Sequence, residues 1–167
     1  PTGGPELESR IQWYEKELLH LFTIAKQVHP DATMTVLSDH GMAPVTERFD
    51  LVQEVESLGF RQGKDYLSVY DSTMARFWFF TDAAREGIRE RMAKLSCARI
   101  LTDGELQDLG IFFSDRRYGE LIVLLNPGWL VAKSDFNGAG WNPLGMHGYH
   151  PDDPFSDAIY LSYRQPP

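Results

Sequence analysis

The chain has 167 residues, of which 43% are hydrophobic and 24% charged, a composition typical of a folded globular domain. Its net charge of −8 argues against nucleic acid as the main partner, because binding a phosphate backbone requires a cluster of basic residues. No apolar run reaches the roughly 20 residues that a membrane-spanning helix needs. The one cysteine, Cys97, excludes an intrachain disulfide, so no oxidising compartment is implied.

The N-terminal part of the chain predicts a long helix followed by a short strand. Between residues 6 and 29, apolar residues recur every three or four positions, which predicts an amphipathic helix with one apolar stripe. Pro5 suits the first turn of this helix, and Pro30 ends it. The β-rich run 33–38 then predicts a strand that ends directly before an Asp-His-Gly sequence at residues 39–41.

The middle of the chain predicts a compact α+β unit. Its predicted elements, in chain order, are a helix at 50–58, strands at 66–70 and 75–80, a helix at 82–95 and a further strand before residue 101. Thr102 and Glu105 have the spacing of a capping box, which predicts a brief helix after them.

The C-terminal part combines a buried strand with a long loop. Residues 121–125 are a continuous apolar run, the pattern of a strand covered on both faces, and 157–163 predict a last strand. Residues 134–154 are rich in Gly, Pro, Asn and Asp, which predicts a long loop. Loops of this length are usually functional or disordered, and His147 within it favours a functional one.

Two polar clusters carry the chemistry that the sequence suggests. Asp39 and His40 stand at the carboxyl end of a predicted strand, where open α/β sheets form their binding crevices. Carboxylate and imidazole are ligands that zinc accepts. Asp39 could also be an ordinary turn residue and His40 a packed histidine, so the metal interpretation depends on a second cluster that begins at His147.

With Ser-Asp-His-Gly-Met at 38–42 and His-Gly-Tyr at 147–149, the chain resembles the type I phosphodiesterase/nucleotide pyrophosphatase family of the alkaline phosphatase superfamily. The resemblance implies an α/β fold, part of an alkaline-phosphatase-like sandwich of helices on a mostly parallel sheet, with a small α+β insert. The implied division is an αβ unit of the core at 1–48, the insert at 49–116, and a return to the core at 117–167.

The resemblance also implies an activity and a set of ligands. The enzyme would hydrolyse phosphodiester or nucleotide pyrophosphate bonds with two divalent metals, most naturally zinc. Asp39 and His40 would ligate the metal that activates the nucleophile, and His147 the metal that holds a phosphate oxygen. The substrate would be a small phosphate ester or nucleotide, which an acidic protein can bind when metals supply positive charge. The sequence identifies no substrate-binding residues.

The resemblance leaves the nucleophile outside the chain. Members of the family carry their nucleophilic Thr or Ser in an N-terminal half, and Gly4-Pro5 resembles the tail of an Asp-x-x-Gly-His-x-x-Gly-Pro segment that precedes a helix. We therefore expect the C-terminal part of a longer enzyme, with the nucleophile upstream of residue 1 and no activity in isolation. Ser72 and Thr73 are poor substitutes, because nothing in the sequence places a base or metal beside them.

Two alternatives remain open at this point. Cofactor-independent phosphoglycerate mutases resemble the chain at Asp-His-Gly, but they usually have Asn where this chain has Met42, and they favour manganese. A non-catalytic binding domain would bind zinc weakly, because three ligands divided between two metals complete neither site. His150, Asp152 and Asp153 are further candidate ligands, although a solvated turn is the preferred interpretation of the two carboxylates.

Overall fold

The computed structural model describes residues 3–138 and 140–163, and within them helices and strands are mixed along the chain. The helices are α1 (Pro5–Val28), α2 (Leu51–Glu56), α3 (Asp82–Met92) and α4 (Asp103–Asp108), with a 3-10 turn at Pro154–Ser156. The strands are β1 (Met34–Leu37), β2 (Ala43–Pro44), β3 (Glu47–Phe49), β4 (Tyr66–Tyr70), β5 (Met74–Phe79), β6 (Ala98–Ile100), β7 (Leu121–Leu125), β8 (Trp129–Val131), β9 (Gly145–Met146) and β10 (Tyr160–Tyr163). The α/β class predicted from the sequence is confirmed.

Helix α1 forms where the sequence predicts it, but its apolar stripe is largely uncovered. Pro5 occupies the first turn, and His29, in an extended conformation, ends the helix before Pro30. Phe22 is buried and meets the ring of Tyr163 in β10 edge to face, with 5.1 Å between the centroids. Other stripe residues, such as Ile11 and Val28, stay more than half exposed. No helix among the described residues is long and apolar enough to span a membrane.

Strand β1 pairs with the last strand of the described chain. It runs antiparallel to β10, with Met34 opposite Tyr163 and Leu37 opposite Tyr160. The pairing continues to Ser38, whose backbone N–H donates to the carbonyl of Ile159 at 3.1 Å. The residue directly before the Asp-His-Gly sequence is therefore held by the C-terminal strand.

The largest sheet lies in the middle of the chain and contains four antiparallel strands in the order β4-β5-β7-β6. Its central strand β7 is buried along its whole length, as the apolar run predicts. One face of β7 packs into the main core with residues such as Phe77 and Ile88, and Ile122 and Leu124 pack on the other face against Leu101 and Leu106. A strand covered on both faces has no position for a polar side chain, which explains the unbroken apolar run.

The order of this sheet bears on the division of the chain. Strand β7 hydrogen-bonds to both β5 and β6, so a boundary at 116/117 separates it from its two neighbours in the sheet.

The capping box before α4 is present, because Thr102 Oγ1 accepts from the Glu105 N–H and the Glu105 carboxylate accepts from the Thr102 N–H. This confirms the helix start that the sequence predicts.

Three short strand pairs connect distant parts of the chain. Strand β1 pairs with β10, β2 with β9, and β3 with β8, and β3–β8 is the one parallel pair among the described strands. Strands β2 and β9 contain two residues each, which is too short for any alternation of polar and apolar residues to be seen. The sequence therefore did not predict them, although they bring the two motifs together.

Candidate functional site

Pairing of β2 with β9 places the two motifs side by side. Ala43 lies opposite Met146 and Pro44 opposite Gly145, and the Val45 N–H donates to the Leu144 carbonyl at 2.9 Å. Because the pairing is antiparallel, the residues before β2 and those after β9 emerge at the same end. His40 and His147 both lie at that end.

The imidazole rings of His40 and His147 stack on each other. Their centroids are 3.8 Å apart and their planes differ by 15°. His40 is partly buried, whereas His147 is exposed. Two of the three predicted ligands are therefore in direct contact.

Asp39 and His40 present two donor atoms together. The His40 ring donates from Nδ1 to the Gly41 carbonyl at 2.8 Å, because a carbonyl oxygen only accepts. In a neutral imidazole this leaves the lone pair on Nε2, which lies 3.5 Å from Asp39 Oδ2. Donors bound tetrahedrally to zinc at roughly 2.0–2.2 Å stand about 3.3–3.6 Å from each other, so this spacing fits one shared ion. The Nδ1 bond to a carbonyl is also the usual second interaction of a metal-binding histidine.

Gly41 is required by a close approach of the backbone. Its N–H donates to the Ser156 carbonyl at 3.2 Å. A Cβ at this position would overlap the carbonyl oxygen of Phe155 and lie 2.7 Å from that of Asp157. The absence of a side chain at Gly41 lets the segment 155–157 pack against the Asp-His pair.

The loop that carries His147 is attached to the core by two hydrogen bonds. Thr73 Oγ1 donates to the Gly148 carbonyl at 2.7 Å, and the Tyr149 hydroxyl donates to the Trp129 carbonyl at 2.9 Å. Thr73 is 4% exposed and Tyr149 6% exposed. Burial raises the pKa of the Tyr149 phenol, which keeps it protonated and able to donate.

Ser72 and Thr73 are committed to structural hydrogen bonds. Both are buried, and Ser72 Oγ accepts from the Asn137 side-chain amide at 2.9 Å. The Thr73 hydroxyl donates to Gly148 as described. Neither hydroxyl is presented to solvent, in keeping with the expectation that they are not nucleophiles.

The remaining candidate ligands form a turn at the surface. His150 Nδ1 accepts from the Asp152 N–H at 3.2 Å, and the Asp152 carboxylate is exposed. The Asp153 carboxylate accepts from the Phe155 N–H at 2.7 Å and so begins the 3-10 turn. These contacts correspond to the solvated-turn interpretation of the two carboxylates.

A cleft of about 560 Å³ lies between α4 and this turn. Its charged lining includes Arg99, Asp108, Asp152 and Asp153. Carboxylates outnumber the guanidinium there, and they would repel a phosphate group. The cleft is therefore a poor site for an anionic substrate.

Asp39, His40 and His147 thus lie together, but they do not form a closed site. Within residues 3–138 and 140–163, no three or more His, Cys, Asp or Glu side chains come together in a way that could hold a metal ion. The sequence interpretation predicts that these three side chains converge on a common pocket; the two imidazole rings are in contact, but the described residues do not complete a metal site. The donor types and the spacing of Asp39 and His40 fit a divalent metal as part of a larger ligand set.

Three contacts that shape this site were not predicted: Gly41 with Phe155, Thr73 with Gly148, and Tyr149 with Trp129. Each joins segments that are far apart in the sequence. The sequence places Tyr149 in the His-Gly-Tyr motif without assigning it a role, and it indicates for Thr73 only that its hydroxyl is a poor nucleophile. No local pattern could have identified these partners.

Solved structures with the same fold come from animals and a bacterium. The human ectonucleotide pyrophosphatase/phosphodiesterase 5 superposes on 96% of this chain with a TM-score of 0.73 and 17% identity. An inactive variant of the murine protein in complex with AMP gives the same values. Phosphonoacetate hydrolase from Sinorhizobium meliloti 1021, in complex with phosphonoacetate, superposes on 97% with a TM-score of 0.69 and 16% identity. The aligned region spans 41% or 42% of the length of these relatives.

At this identity the likeness establishes the fold alone. No curated protein matches the chain. The sequence model described as type I phosphodiesterase / nucleotide pyrophosphatase matches residues 1–150, which is most of the chain. The chain therefore belongs to the type I phosphodiesterase / nucleotide pyrophosphatase family.

Proposed function

We propose that this chain supplies the metal ligands Asp39, His40 and His147 to a metal-dependent hydrolase of phosphodiester or nucleotide pyrophosphate bonds. The observation that carries the proposal is the stacking of His40 on His147 beside the Asp39 carboxylate. Membership of the family supports hydrolysis of phosphoesters, and enzymes of this family are generally metal-dependent. It also favours hydrolysis over the mutase alternative.

Each ligand has a distinct part in the proposal. Asp39 Oδ2 and His40 Nε2 would bind one ion, and His147 would bind a second. Zinc is the ion we propose, because imidazole nitrogen and carboxylate oxygen are donors it accepts. When bound, a pair of such ions supplies positive charge that stabilises the attacking and leaving oxygens at phosphorus. Asp39 offsets part of that charge, and the Gly41 carbonyl holds His40 in the tautomer that can bind.

The substrate class follows from the relatives and from the charge of the chain. The murine relative has been solved with AMP and the bacterial one with phosphonoacetate, both anionic molecules. This chain carries a net charge of −8, so an anion needs a compensating cation at the site. We propose a small phosphate ester or a nucleotide as the substrate, not a nucleic acid.

The chain alone is proposed to be inactive. Ser72 and Thr73, the hydroxyl candidates considered from the sequence, are buried and hydrogen-bonded. The nucleophile is therefore proposed to lie in a part of the protein outside these 167 residues. Such a chain would retain weak metal binding without turnover, which is the behaviour expected of a non-catalytic binding domain.

Calorimetric titration of the purified chain with Zn²⁺ tests the ligands. We expect weak binding that falls at least about tenfold in His40→Gln or in His147→Gln. His20→Gln is the matched control, because His20 lies exposed on α1. Equal affinity in all four proteins would mean that the ligand assignment is wrong.

Hydrolysis of bis(p-nitrophenyl) phosphate tests the reaction. The isolated chain should show no turnover with or without zinc. The longer protein should show zinc-dependent turnover that His147→Ala abolishes. Turnover by the isolated chain would place a nucleophile within it, and activity within a few-fold of the parent in His147→Ala would contradict the role of His147.

A further inference from the structure

The backbone on the two sides of His147 is held in different ways. On the N-terminal side, Gly145 and Met146 pair with β2 through backbone hydrogen bonds. On the C-terminal side, the first contact is the hydrogen bond from Thr73 Oγ1 to the Gly148 carbonyl, and the next is the bond from the Tyr149 hydroxyl. Thr73 is thus the nearest side chain that holds the loop directly after His147.

Thr73 is itself rigidly placed. It lies in the turn between β4 and β5, where the Asp71 N–H donates to the Met74 carbonyl at 2.7 Å. The Thr73 carbonyl accepts from the Leu125 N–H in β7, and the carbonyl of Ser72 accepts from the Val131 N–H in β8, both at 2.8 Å. The hydroxyl is therefore presented from the four-stranded sheet and not from a mobile chain.

The geometry at Gly148 makes the contact specific. Gly148 has a φ of +89°, a conformation that residues with a side chain rarely adopt. A Cβ there would lie 3.1 Å from Thr73 Oγ1, closer than an ordinary contact. The glycine and the hydroxyl thus fit each other, and together they fix the direction in which the chain leaves His147.

We propose that Thr73 is a positioning residue that holds the His147 imidazole against His40 through the Gly148 carbonyl. This inference rests on the proposed function only because His147, whose ring Thr73 positions, is a proposed metal ligand. The four-stranded sheet then does more than fold beside the site, since its β4–β5 turn sets the separation of the two histidines. Thr73 touches neither metal nor substrate in this role.

The stacking itself gives a readout that needs no metal and no activity. In the metal-free chain, the ring protons of His147 feel the ring current of His40, and His40→Gln supplies their unstacked chemical shifts. Thr73→Val keeps the shape of the side chain but removes the donor. We expect it to move the His147 shifts at least about halfway to the His40→Gln values, because the loop loses its nearest side-chain contact. Thr73→Ser should restore the parent shifts.

Thr23→Val is the matched control, since Thr23 Oγ1 also donates to a backbone carbonyl, that of Leu19, but within α1. It should leave the His147 shifts unchanged. If Thr73→Val also leaves them at the parent values, the inference is overturned, and the same holds if Thr23→Val moves them equally.

Zinc titration of the same variants separates this inference from the proposed function. We expect Thr73→Val to weaken zinc binding about tenfold or more, as groups that orient metal ligands typically do. If His147→Gln leaves zinc affinity unchanged while Thr73→Val still moves the ring shifts, the proposed function fails and the positioning role stands. If His147→Gln weakens zinc binding but Thr73→Val changes neither the ring shifts nor the zinc affinity, the positioning role fails and the proposed function stands.

Discussion

The backbone of Gly41 lies against the segment that follows the His147 loop, so closely that a methyl group at residue 41 would overlap the Phe155 carbonyl oxygen. This contact joins the Asp-His pair to the chain just before β10. Because β10 also pairs with β1, the segment that carries Asp39 and His40 is fixed on both sides by the C-terminal part of the chain.

Gly41→Ala should therefore destabilise the chain and disturb the site together. We expect the free energy of unfolding in urea to fall by about 1–3 kcal/mol, the usual cost of inserting a methyl group where there is no space. Gly104→Ala is the control, because its Cβ would have no neighbour closer than 4.0 Å. That change should be neutral or stabilise α4 by up to about 1 kcal/mol. Equal effects at the two glycines would contradict the close approach at residue 41.

Tyr149→Phe tests the second hydrogen bond that holds the His147 loop. The change removes the donor to the Trp129 carbonyl and keeps the buried ring. We expect the free energy of unfolding to fall by about 0.5–1.5 kcal/mol, the net value of one such bond. The loss is larger if no water molecule replaces the lost donor at the Trp129 carbonyl. Tyr160→Phe is the control, since Tyr160 is exposed in β10. A smaller loss at Tyr149 than at Tyr160 would argue against the bond.

Alkaline pH should unfold the chain in a way that depends on Tyr70. Burial raises the pKa of this phenol well above its ordinary value of 10.0, so the native state keeps a proton that the unfolded state releases. The stabilisation is fully present below pH 10 and is lost above it, by up to about 1.4 kcal/mol per pH unit for this group. Tyr70→Phe should flatten the fall in stability between pH 10 and 11. An unchanged slope would mean that the phenol is not the titrating group.

Elements with local signals could be predicted from the sequence. Pro5 in the first turn of α1 and Pro30 after its end limit that helix in the sequence and in the structure alike. The apolar run of β7 predicts burial on both faces, and the Thr102–Glu105 spacing predicts the start of α4. Each of these depends on residues close together in the chain, so the sequence contains the whole of the information.

Features that depend on distant partners could not be predicted. Strands β2 and β9 have two residues each, and their pairing is visible only when the folded chain brings them together. The apolar stripe of α1 predicts a covered helix face, yet most of it is exposed among the described residues, because periodicity does not identify what covers a face. The contact of Thr73 with Gly148 belongs to the same class.

Val123→Ala should cost more stability than Val36→Ala, although both valines belong to apolar strands. Val123 is fully buried at the centre of the four-stranded sheet, whereas Val36 in β1 is only partly buried. We expect a loss of about 1–3 kcal/mol for Val123→Ala, from lost burial and the cavity that remains. Zinc affinity per folded molecule should be unchanged in both variants. A larger loss at Val36 would mean that β1 is covered in solution.

Asp39→Asn should separate metal binding from folding more sharply than any other change at the site. The Asp39 side chain is 85% exposed, and its bond within the described chain is Oδ1 accepting from the N–H of His40 at 3.0 Å. Asparagine keeps that acceptor, so the melting temperature should not change by more than about 1 °C. It removes the charge and one proposed ligand, so zinc affinity should fall about tenfold or more. Asp31→Asn removes the same charge at an exposed position before β1 and should leave the affinity unchanged. If the two variants lose affinity equally, the general charge of the chain and not ligation by Asp39 accounts for zinc binding.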